Sequence, residues 1–148
     1  SIVPSTRATS TTQAPTTQPA STTTSPMAAL RAWAGPAATQ TRELVDHLQS
    51  MFTAADAQDS TELVVACSDL KSWAVRAAAA DPAPDAEINT HWQRMIVLAG
   101  QMADTCIRGA ASQDAGLIAQ ATSTSNDLLD EVKAMGTAIK GAPGRAGN

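Results

Sequence analysis

Two histidines each stand four residues before a methionine, His47 before Met51 and His91 before Met95. At i, i+4 the paired side chains share one face of a helix, and imidazole with thioether is a ligand set suited to copper or haem. If the two segments faced one another, four ligands would converge. Met51 and Met95 also lie on apolar helical stripes, however, where methionine ordinarily fills core volume. His47 and His91 precede the core positions Leu48 and Trp92, at the edge of each stripe. Packing is therefore the preferred reading and no metal or cofactor is assigned. His47, Met51, His91 and Met95 stand as the candidates for the alternative, a carrier holding haem, copper or a lipid between helices.

The two cysteines, Cys67 and Cys106, fall on the buried stripes of consecutive helices. With one helix starting near Ser60 and the next ending near Ala110, their heights differ by roughly 5 Å at 1.5 Å per residue, within reach of a bridge after a small axial shift. Closing a loop of about forty residues would contribute roughly 3–4 kcal/mol. A disulfide is expected, and the absence of Cys-x-x-Cys argues against redox catalysis.

Other chemistry is sparse. Asp56, Asp59, Asp85 and Asp114 read as helix-start residues that offset the dipole, and Asp127, Asp130 and Glu131 as an acidic face. A di-iron bundle needs Glu-x-x-His, and neither histidine has a glutamate three residues before it. No Gly-x-Ser-x-Gly elbow and no glycine-rich phosphate loop occurs, and no Ser-x-x-Lys is expected in the folded region. The chain is read as a non-enzyme.

The elements that would position these residues are helices. Apolar content is 43%, dominated by alanine, with no tyrosine and only four aromatic residues, Trp33, Trp73, Trp92 and Phe52. Alanine favours helix, and few β-branched or aromatic runs favour a sheet. Met27, Leu30, Trp33 and Ala34 predict a short first helix that Gly35-Pro36 interrupts or kinks. The stripe resumes with Thr41, Leu44, Leu48, Met51, Phe52 and Ala55. Asp59-Ser-Thr-Glu62 resembles a capping box that opens a second helix on Leu63, Cys67, Leu70, Ala74 and Ala77. Asp81-Pro-Ala-Pro84 stops it. Asp85 caps a third helix whose stripe runs Ile88, Trp92, Met95, Ala99, Met102, Cys106 and Gly109. After a polar break at Ser112 to Asp114 a fourth follows, on Ile118, Ala121, Ser125, Leu128, Val132, Met135 and Ile139, ending near Gly141. Short connections make neighbours antiparallel, so the expected fold is all-α, an up-down-up-down four-helix bundle over residues 27–141.

Residues 1–26 are almost all Ser, Thr, Pro, Gln and Ala, a composition expected to stay a disordered linker or stalk. Residues 142–148 are expected to form a disordered C-terminal tail. A net charge of −4 without a basic cluster argues against nucleic acid and anionic lipid. Membrane attachment would need a tether preceding residue 1.

The stretch Ala103-Asp-Thr-Cys106, some forty residues after Cys67, resembles the plant invertase and pectin methylesterase inhibitor family over about Leu63 to Gly109. That resemblance implies a disulfide between the second and third bundle helices. The chain lacks the family's disulfide-bonded amino-terminal hairpin, with Ser1 to Pro26 in its place. Together these features lead to the expectation of an extracytoplasmic protein, cell-surface anchored or secreted, that is monomeric and binds a protein partner in the manner of an inhibitor, immunity or accessory lipoprotein.

Overall fold

A computed structural model of the chain describes residues 25–146. They form four α-helices: α1 (Pro26–Asp56), α2 (Ser60–Ala79), α3 (Ala86–Ser112) and α4 (Ala115–Ala146). Each helix packs on the next, and α4 closes the ring against α1 along the thinnest seam, so the all-α up-down-up-down bundle is observed. The linker expected over residues 1–26 falls, up to residue 24, outside the described residues, as do residues 147 and 148 of the expected C-terminal tail. No described helix is long and apolar enough to cross a membrane.

The caps form as the sequence predicts. Asp59 Oδ1 accepts the Glu62 amide at 3.0 Å and Asp85 Oδ1 accepts the Ile88 amide at 2.9 Å. The capping box at Asp59 is half-made, because the Asp59 amide already donates to the Ala54 carbonyl and has no need of the Glu62 side chain. Asp56 ends α1 instead of starting α2.

Two boundaries differ from expectation. First, α1 is continuous through Gly35-Pro36. Proline withholds an amide from the helix ladder, but tertiary contacts secure both sides of it. Leu30 and Ala37 are buried, and the Trp33 indole donates to the Asp81 carbonyl at 3.1 Å. Second, α4 runs on past Gly141 to Ala146, so residues 142–146 are helical and not a tail. Gly141, Pro143 and Gly144 oppose this, at about 1 kcal/mol for each glycine and about 3 kcal/mol for an interior proline.

Arg145 supplies the counterweight. Its guanidinium donates twice to Asp85, at 3.0 and 3.1 Å, meets Glu87 at 2.9 Å, and reaches back to the Ala138 carbonyl at 2.6 Å. Ala142 is buried beneath it. Asp85 thus caps α3 and anchors α4 at once. The Arg145 hydrogen bond, opposed by partial burial and aided by the Ile88 amide, holds the Asp85 carboxyl below its ordinary range. Stability from this pair is therefore complete above the unfolded-state value of about 3.9 and is lost as pH falls through the lower folded value. Asp85→Asn keeps a competent cap while removing the charge. In that variant, hydrogen exchange is expected to quicken at residues 141–146 and stay unchanged at Ile88 and Asn89. Equal protection of the last turn would show that Arg145 does not hold it.

The core is built of small residues around three tryptophans. Ala74, Ala77, Ala99 and Ala121 are all buried, and a Cβ on Gly109 would stand 3.0 Å from that of Leu117, so glycine there lets α4 cross α3 closely. Trp92, fully buried, receives Trp33 and Trp73 edge-on at ring separations of 5.5 and 6.1 Å.

Candidate functional site

The bundle's register decides the fate of the histidine and methionine set. Trp33 of α1 lies against Trp92 of α3, which puts His91 level with Trp33. His47 is fourteen residues further along α1, about 21 Å up the bundle at 1.5 Å per residue. The helices α1 and α3 are also diagonal neighbours whose backbones do not approach each other closely, so that they meet only through long side chains such as Trp33 and Trp92. The structure therefore gives His47, Met51, His91 and Met95 no common centre. Met51 and Met95 are core residues, buried as their stripes require. Among the described residues no group of three or more His, Cys, Asp and Glu is arranged to hold a metal ion.

His91 is instead engaged with α4. Its Nδ1 lies 2.6 Å from Glu131 Oε2, both side chains being 19% exposed, and Arg94 approaches the other carboxylate oxygen at 3.6 Å. Glu131, which the sequence groups with Asp127 and Asp130 on an acidic face, is thus a half-buried cross-helix partner. The exposed Val97 and the half-buried Leu98 continue this seam.

Contrary to the expectation of no Ser-x-x-Lys in the folded region, Ser68 and Lys71 of α2 have that spacing, which some acyl-transfer enzymes use. Lys71 is committed elsewhere. Its Nζ bonds Asp104 Oδ2 of α3 at 3.0 Å, on the exposed surface. A solvent-facing lysine committed to a carboxylate on the neighbouring helix is not poised to take a serine proton.

Cys67 and Cys106 form the expected disulfide, with Cα atoms 6.0 Å apart and both residues buried. Each lies about two turns from the same end of the bundle, so equal heights on antiparallel helices bring them together.

The two ends of the bundle differ. One carries the entry to α1 at Pro26 and the Asp85–Arg145 pair. The other carries two helix-to-helix turns built alike. In each, a glutamine with left-handed backbone, Gln58 at φ 54° and Gln113 at φ 52°, is followed by an aspartate whose side chain caps the next helix. In each, the aspartate amide also closes back on a carbonyl five residues earlier, Ala54 for Asp59 at 3.0 Å and Gly109 for Asp114 at 2.8 Å. The turns share one pocket of about 450 Å³, floored by Ala55, Leu63, Ala110 and Ile118 and rimmed by Gln58, Gln113 and Ser60. Glycine is the residue best suited to this backbone, and a non-glycine residue there is strained by about 1–2 kcal/mol. The repeat of Gln-Asp at 58–59 and 113–114 is the signal by which the sequence could have disclosed the tip.

The chain matches no protein-family model, no curated protein and no solved structure.

Proposed function

We propose that the protein is a non-enzymatic, extracytoplasmic helical head, anchored at a cell surface or secreted, that binds a macromolecular partner. The observation that carries this reading is the polarity of the bundle. The Ser/Thr/Pro-rich segment enters α1 at one end, while the two matched turns and their pocket stand at the other, about 45 Å away along a helix of 31 residues. A head joined to its linker at one end and structured for contact at the other is arranged for presentation. The buried disulfide supports the compartment, because such bridges persist in oxidising surroundings. The Ser/Thr/Pro composition supports an exported linker.

Intact producing cells, or their culture medium, provide the test. Protease added outside intact cells is expected to cleave the protein, or the protein is expected in the medium. In either fraction the cysteines should resist alkylation until a reductant is added. Protection until lysis, together with two thiols that alkylate without reductant, would overturn the reading.

A further inference from the structure

We infer that the pocket between the two Gln-Asp turns is a peptide-binding site, which takes an uncharged backbone unit bearing an aliphatic side chain. The inference rests on the partner-binding reading above and names the surface and the chemistry. Its floor is aliphatic, from Ala55, Leu63, Ala110 and Ile118, with no aromatic ring on which a sugar face would stack. Its lining carries no charge, although the chain as a whole is at −4. Charged ligands therefore find no counter-ion there, whereas a neutral one loses little by entering.

The rim selects the peptide group. A glutamine carboxamide offers two N–H donors and a carbonyl acceptor, the same pairing set that a peptide unit presents in reverse. Neither Gln58 nor Gln113 spends its carboxamide on a hydrogen bond within the described residues. Both also keep a left-handed backbone where glycine would relieve the strain. Residues held in such conformations cluster at binding sites, and here two of them border one pocket.

The probe is N-acetyl-L-leucine N-methylamide, titrated into the isotopically labelled full chain. Saturable shifts are expected at the Gln58 and Gln113 side-chain amides and at the Leu63 and Ile118 methyls. In the double variant Gln58→Gly, Gln113→Gly the Leu63 and Ile118 methyl shifts should vanish while thermal stability equals or exceeds that of the parent. Gain of stability with loss of binding distinguishes a site from a mere turn. Shifts that are absent at those groups, or unchanged in the double variant, would overturn the inference, as would a response to methyl glucoside in place of the peptide unit. Failure here with success of the cell-surface test moves the partner to another face. Success here with failure of that test leaves a peptide site on a protein of another compartment.

Discussion

Replacing both Cys67 and Cys106 with alanine is expected to lower the unfolding free energy by about 4 kcal/mol, because the bridge closes a loop between residues 39 apart. For a domain of this size the melting temperature should fall by about 10–20 °C. The core explains why the bridge matters so much. Much of it is alanine, which buries little area per residue, and α1 meets α4 only along a thin seam. Thermal and urea unfolding, followed by far-ultraviolet circular dichroism, should rank the oxidised parent above both the reduced parent and the double variant. The last two should nearly coincide. A loss below about 1 kcal/mol would mean that the helices hold their places without the bridge, contrary to the chain-entropy expectation.

The second large effect is expected at Trp92. Truncation to alanine empties the centre of the tryptophan trio and should destabilise the fold by about 3–5 kcal/mol. A milder pair of variants separates volume from hydrogen bonding. The Trp73 indole donates to the Gln40 carbonyl at 2.7 Å, whereas the buried Trp92 indole nitrogen has no partner among the described residues. Trp73→Phe therefore loses ring volume and a bond, and Trp92→Phe loses ring volume alone. The first should be the more destabilising by about 1 kcal/mol, read from the shift in urea midpoint. The opposite order would reveal that the Trp92 N–H is satisfied after all, for instance by a buried water.

What the sequence disclosed and what it withheld have separate physical causes. Periodicity carries burial, so every position of the expected α3 stripe from Ile88 to Gly109 is buried, although Ile96, Ala103, Thr105 and Ala110 widen the buried face beyond it. Ser125 was legible as a core position despite its hydroxyl, which donates to the Thr122 carbonyl at 2.5 Å. Local breakers misled where distant residues overrule them. Pro36 sits within a helix pinned by Leu30, Ala37 and Trp33, and Pro143 within a turn pinned by Arg145 to a residue sixty positions earlier. No local pattern carries such contacts. The histidine and methionine pairs failed to converge for a related reason. Their internal spacing of four is identical, but convergence depends on the register between helices, which the length of each helix before the histidine decides. In α1 that length is about sixteen residues greater than in α3. The disulfide was legible because its two heights are both measured from the same end.

One consequence of the bridge concerns the fate of a severed chain. Cys67 lies before the connection from Ala80 to Asp85 and Cys106 after it, with Pro82 and Pro84 on the exposed surface of that connection. A protease that nicks the backbone there would create two polypeptides, one holding α1 and α2 and the other α3 and α4, still covalently joined. Their shared core of Trp33, Trp73 and Trp92 would keep them folded around each other. In an enzyme-rich environment the bridge thus makes this connection dispensable, and a molecule cut there comes apart only when it is reduced as well.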